Sequence, residues 1–132
     1  MKKDFIFKHL NLVIFLILVV WNLGLQNWRE PNKMIQSDVA YYYQYLPTAF
    51  IQHDIACTFL EHRYQLHPRL QPFPTSDGKY CSKMSMGTAY MYAPFFFTAH
   101  LLAEPLGFVA DGYSMIYPLL ISLGTLVYLF FG

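Results

Sequence analysis

Residues 10–25, LNLVIFLILVVWNLGL, carry no charge and are interrupted only by Asn11 and Asn22. A helix needs about 20 mostly apolar residues to cross a hydrocarbon core of roughly 30 Å. The run reaches that length if it starts at Phe5 and Lys8 snorkels to the headgroups. Trp21 and Trp28 near its far end suit an interfacial aromatic belt. Lys2 and Lys3 also precede the hydrophobic part of a signal peptide, which is the competing reading. The apolar stretch is long for that role and lacks a clean small-residue cleavage site, so an uncleaved span over residues 5–26 is expected.

Composition agrees with a membrane protein. The chain of 132 residues is 55% hydrophobic and only 13% charged, where soluble domains carry about 25% charged residues. A net charge of +1, with no basic run among the aromatics, excludes nucleic acid as a partner. A second apolar run, MGTAYMYAPFFFTAHLL, predicts a span over 86–103, kinked at Pro94. A third, YSMIYPLLISLGTLVYLFF, predicts a span over 113–131 with Pro118 near its start, where a helix tolerates proline. The expected fold is therefore all-α: a multi-span membrane protein with about three transmembrane helices and a long periplasmic loop, residues 27–85, carrying amphipathic helices. Lys2, Lys3 and Lys8 put the N-terminus in the cytoplasm. The joint between the second and third runs opposes this weakly, since it holds Glu104 and Asp111 but no Lys or Arg. The third run stops at Gly132 with no polar flank, as the N-terminal part of a longer multi-span protein would.

The loop holds the chemistry-bearing residues. In SDVAYYYQYLPTAFIQHD, residues 37–54, Ser37 is a good helix N-cap and Asp38 complements the dipole of the first turn. Val39, Tyr42, Leu46, Ala49 and Phe50 recur at helical spacing, and Pro47 predicts a bend. A surface helix over 38–54 is expected, with its tyrosines at headgroup level. On composition alone, Asp38 is a cap and Tyr41, Tyr42, Tyr43 and Tyr45 are anchors.

This order of features, a short basic N-terminus, one span, then an Asp leading a Tyr-rich surface helix, resembles the start of the GT-C membrane glycosyltransferases. The likeness is to bacterial relatives of protein mannosyltransferases and of the lipid A aminoarabinose transferase. KYCSKMSMGTAYMYAPFFFTAH (79–100) is similar to their entry to the second span, and DGYSMIYPLL (111–120) to the third. The resemblance implies transfer of a sugar from a polyprenyl-phosphate donor to an acceptor at the outer face of the bacterial cytoplasmic membrane. It implies Asp38 as the carboxylate that takes or orients the acceptor proton, with Asp54 a distant second acid. Val39 follows Asp38 where the family often has a second acid, which favours a single-carboxylate site and leaves a divalent metal possible but not indicated. Lys79 and Tyr80 are weak candidates for binding the donor phosphate; Lys83 reads as an ordinary helix flank. Much of the family's donor site comes from later spans, so this length alone is not expected to catalyse.

Other groupings carry less. His53, Glu61, His62 and His67 match no standard metal-ligand spacing, and no metal site is assigned. Cys57 and Cys81 are either bridged or free thiols. Residues 66–78, with three prolines, read as irregular loop. The implied partners are the lipid bilayer, the polyprenyl-phosphate-linked sugar and an acceptor that the sequence does not name. A non-catalytic multi-span subunit or assembly factor, using the loop for contacts, is the alternative from another class.

Overall fold

The first helix of the computed structural model, α1 (Lys2–Leu25), ends where Gln26 adopts a left-handed conformation (φ 51°). That conformation is a common helix stop, because it turns the chain while satisfying the last carbonyls. A 3₁₀ turn (Asn27–Arg29) and a single helical turn, α2 (Pro31–Met34), lead to α3 (Ser37–Tyr43) and α4 (Tyr45–Phe50). A ribbon of two short antiparallel strands follows, β1 (Phe73–Pro74) and β2 (Tyr80–Cys81), with Phe73 opposite Cys81. The chain closes with α5 (Gly87–Ala103), a 3₁₀ turn (Glu104–Leu106) and α6 (Ile116–Phe131). The structure describes residues 2–55, 73–77 and 79–131, giving the backbone alone for 2–8, 31, 32 and 81.

The expected spans are corrected by these lengths: among the described residues, no helix is long and apolar enough to cross a membrane. At 1.5 Å per residue, the 17 residues of α5 and the 16 of α6 reach about 26 and 24 Å, short of a core of roughly 30 Å. Helix α1 has 24 residues, about 36 Å, yet over its described residues it does not combine that length with enough apolar character to count as a span. Among the described residues the fold is a helical assembly with one small β-ribbon, rather than the expected set of transmembrane spans.

The directions of the helices differ from the expected alternation as well. Ser122 Oγ lies 3.2 Å from Asn22 Oδ1, and the rings of Phe15 and Phe130 stand 4.9 Å apart. Helix α1 is thus antiparallel to α6. His100 meets Tyr117, and the Tyr128 hydroxyl donates to the Met91 carbonyl at 2.9 Å, so α5 is antiparallel to α6 too. Helices α1 and α5 therefore run the same way.

The core forms where α3 and α4 lie against α5 and the start of α6. Tyr43, Phe96 and Tyr117 are fully buried, with Phe96 6.0 Å from the Tyr43 ring and 5.5 Å from that of Tyr117. Aromatic clusters of this kind contribute their buried area and a further ~1 kcal/mol per well-oriented pair. Gly124 lets α5 and α6 approach: a Cβ there would land on the Phe95 ring. Helix α5 runs on through Pro94, and α6 takes Pro118 in its first turn as expected.

The helix expected over 38–54 forms in two pieces, Ser37–Tyr43 and Tyr45–Phe50, and stops short of 54. Gln36, not Ser37, is the N-cap, and no side chain caps the helix. Ser37 itself has φ 49°. The break falls at Gln44 rather than at Pro47, because a proline removes the hydrogen bond to the carbonyl four residues back, here that of Tyr43; the next turn is intact, with the Thr48 N–H and Oγ1 both donating to the Gln44 carbonyl at 3.1 and 2.7 Å. The buried face carries Ala40, Tyr43, Leu46 and Thr48, whereas Phe50 is exposed. So the helix is rotated from the expected stripe, and Tyr43 is a core residue rather than an interfacial anchor. Gln44 is buried beside them with no partner for its Nε2. An unmade hydrogen bond of this kind costs about 1–3 kcal/mol. Gln44→Met is therefore expected to raise the unfolding free energy by about 1 kcal/mol, read as a higher midpoint in denaturant titration.

The outer face of α1 is bare. Val20 and Trp21 are 69% and 65% exposed, and a shallow groove runs along Leu16, Ile17, Val20, Trp21, Gly24 and Leu25. Contiguous apolar surface on this scale marks a site of contact with lipid or protein.

Candidate functional site

Asp38 stands in the first turn of α3, exposed, with no hydrogen bond or ion pair among the described residues. The helix behind it is held firmly. Tyr43 donates through its hydroxyl to the Gly112 carbonyl, and Tyr45 donates to the Met84 carbonyl at 2.7 Å. Ser82 Oγ donates to the Tyr41 carbonyl at 2.7 Å. The strand exit, residues 82–84, is thereby strapped to α3 and α4. This arrangement presents one carboxylate to solvent from a fixed backbone.

The other expected site residues sit elsewhere. Asp54 follows α4, half-buried, and its backbone N–H donates to the Thr48 carbonyl at 2.9 Å, closing the turn. Lys79 is exposed in the ribbon turn, with its ammonium 3.9 Å from Asp77 Oδ2. Thr75 donates to the Asp77 carboxylate, holding that carboxyl below the usual range. The Thr75 N–H also donates to the Lys79 carbonyl at 2.8 Å, joining the two arms of the ribbon; of the expected irregular loop 66–78, residues 66–72 and 78 lie outside the described residues. Tyr80 is half-buried against the core, which suits a packing role. Of the histidine grouping, only His53 is described; His62, His67, Glu61 and Cys57 lie outside the described residues, as does the Cys81 side chain. Among the described residues, no group of three His, Cys, Asp or Glu side chains is placed to hold a metal.

No family model, curated protein or solved structure matches this chain.

One polar cluster has no counterpart in the sequence reading. His100 Nδ1 lies 2.7 Å from the Tyr117 hydroxyl, and the imidazole stacks parallel to the Phe96 ring at 6.0 Å. Burial pushes the Tyr117 phenol up to about 12; contact with the Gly112 backbone opposes that rise, and the Asp111 charge adds to it. Asp111 in turn accepts the N–H groups of Tyr113 and Ser114 at 2.8 and 2.7 Å, fixing the loop before α6. The pair was visible in principle: residues 100 and 117 sit nearly symmetrically about the joint of an antiparallel helical hairpin. A polar residue at each of those places, on otherwise apolar helices, signals a cross-hairpin bond.

A consequence at high pH follows from the raised phenol. An unfolded tyrosine titrates at about 10, and the folded one only near 12. Between those values the unfolded chain has lost a proton that the folded chain keeps, so stability falls as pH rises across that window. Below pH 10 this contribution is fully present. Unfolding midpoints measured from pH 9 to 12 are expected to decline more steeply for the parent than for Tyr117→Phe.

Beside α4 there is a cavity of about 510 Å³. Its walls are Tyr45, Leu46, Ala49 and Phe50 on one side and Ala89, Tyr90, Ala93 and Phe97 of α5 on the other. The volume falls within the range typical of small-molecule sites.

Proposed function

We propose that the chain takes part in sugar transfer from a polyprenyl-phosphate carrier at the outer face of a membrane, as part of a GT-C type transferase. In this reading Asp38 accepts or orients the acceptor's proton as the acceptor attacks the anomeric carbon and the carrier phosphate departs. The observation that carries it is Asp38 itself, an exposed carboxylate without a partner among the described residues, at the head of a helix pinned by Tyr43 and Tyr45. The resemblance of 37–54, 79–100 and 111–120 to the family's loops supports it further. Contact with lipid is made by the exposed apolar face of α1. A single carboxylate is enough for the proton step, and no metal is assigned.

The test uses membranes from cells that make the protein, with Asp38→Asn introduced at the native locus. Release of polyprenyl phosphate from labelled mannosyl and aminoarabinosyl carriers is followed by chromatography. Loss of release in the variant, at equal protein abundance, is the expected result. Equal release from both membranes removes Asp38 from the reaction.

The bare face of α1 favours a second reading, a non-catalytic subunit that docks on a membrane or a partner. Under that reading Asp38→Asn leaves transfer unchanged, whereas Val20→Glu or Trp21→Glu releases the protein from the membrane fraction.

A further inference from the structure

We infer that the cavity between α4 and α5 binds the hydrocarbon tail of a single-chain anionic amphiphile. The inference holds whether or not Asp38 takes part in transfer. Three alanines decide the shape: Ala49 on α4, with Ala89 and Ala93 one turn apart on α5, line a slot that larger side chains would fill. Phe50 and Phe97, edge to face at 4.7 Å, form part of its wall.

The lining makes no polar demand on its occupant. The Tyr45 hydroxyl is already satisfied by the Met84 carbonyl, Tyr90 is largely exposed to solvent, and among the described residues neither a carboxylate nor a basic group lines the space. A ligand with hydrogen-bonding groups along its length would bury them unpaired, at about 1–3 kcal/mol each. A hydrocarbon chain has no such cost. The slot therefore selects for a tail.

The head is set by charge. Lys83 is exposed and has no partner among the described residues. It precedes Met84, whose carbonyl is held by Tyr45, and Met86 of the same segment lines the cavity. Lys83 lies three residues before Met86 of the lining, so a carboxylate or phosphate head on a bound tail would meet a cation on this segment. Asp54, half-buried, adjoins Ile55 of the lining, so among the described residues the segment that carries Lys83 is the better place for an anionic head. The head is accordingly placed at the Lys83 end.

The protein, held in amphipol, is to be photolabelled with a diazirine-bearing palmitate and with a diazirine-bearing farnesyl phosphate, and the labelled peptides mapped. Saturable labelling of residues 45–50 and 87–97 is expected, competed by the unlabelled ligand. The two probes separate a carboxylate head from an isoprenoid phosphate. Ala93→Phe should abolish saturable labelling there, and Lys83→Gln should weaken both anions about threefold, as for an exposed charge pair, while leaving hexadecanol unaffected. If Ala93→Phe loses its helical circular dichroism, Ala49→Leu replaces it. Labelling confined to the α1 face, or unchanged in a folded cavity-filling variant, overturns the assignment.

Discussion

Gly112→Ala is expected to lower the unfolding free energy by about 3 kcal/mol, the sum of a backbone and a packing cost of roughly 1–2 kcal/mol each. Gly112 has φ +83°, which an L side chain adopts only under strain. An added Cβ would also lie 2.9 Å from Pro47 Cβ and 3.1 Å from Ile51 Cδ1. Its carbonyl accepts the Tyr43 hydroxyl, so any shift that relieves the clash also loosens the core bond between α3 and the 111–113 turn. Domains of this size are stable by about 5–15 kcal/mol, so the loss is a large share of the total. Gly107→Ala is the matched control. It has φ +79° but open space around it, so only the backbone part, about 1–2 kcal/mol, should appear. Thermal melts of the two variants separate the causes. Equal shifts would show that Pro47 and Ile51 yield freely.

The second large effect is that of Asp38→Asn on transfer. General base or acid groups contribute typically ~10²–10⁴-fold to a rate, or about 3–5 kcal/mol of barrier. Under the proposed function a loss in that range is expected for polyprenyl-phosphate release, with only a small drop in melting temperature, since Asp38 makes no bond among the described residues and its interaction with the helix dipole is worth about 0.3–1 kcal/mol. Asp54→Asn should leave the rate near that of the parent. The N–H that closes the turn after α4 belongs to its backbone and survives the substitution. A rate loss in Asp54→Asn equal to that in Asp38→Asn would reverse the assignment of the two acids.

Much of the helical layout is legible in the residues. The runs 86–103 and 113–131 anticipate α5 (Gly87–Ala103) and α6 (Ile116–Phe131) closely, because long apolar segments ended by Glu104-Pro105 and begun near Pro118 leave few alternatives. The surface helix was legible with its break misplaced by three residues. What composition does not carry is length against thickness: among the described residues no helix is long and apolar enough to cross a bilayer. Nor does it carry direction. Helix α1 runs with α5 because Asn22 meets Ser122, a pairing across 100 residues that no local pattern encodes. Asp38 was legible as a residue, whereas the cavity was not: Ala49, Ala89 and Ala93 converge only once α4 lies on α5.

That same pairing of Asn22 with Ser122 bears on the order in which the molecule assembles. Helices α5 and α6 are joined by a short connection and find each other through contacts such as His100 with Tyr117, 17 residues apart. Closing a loop of 100 residues costs more entropy than closing one of 17, by about 1.6 kcal/mol, and chains form near contacts ahead of distant ones. The α5–α6 hairpin is thus the nucleus, α3 and α4 dress it, and α1, although made first, docks last. Until it does, its long apolar flank is open to whatever the newly made chain meets.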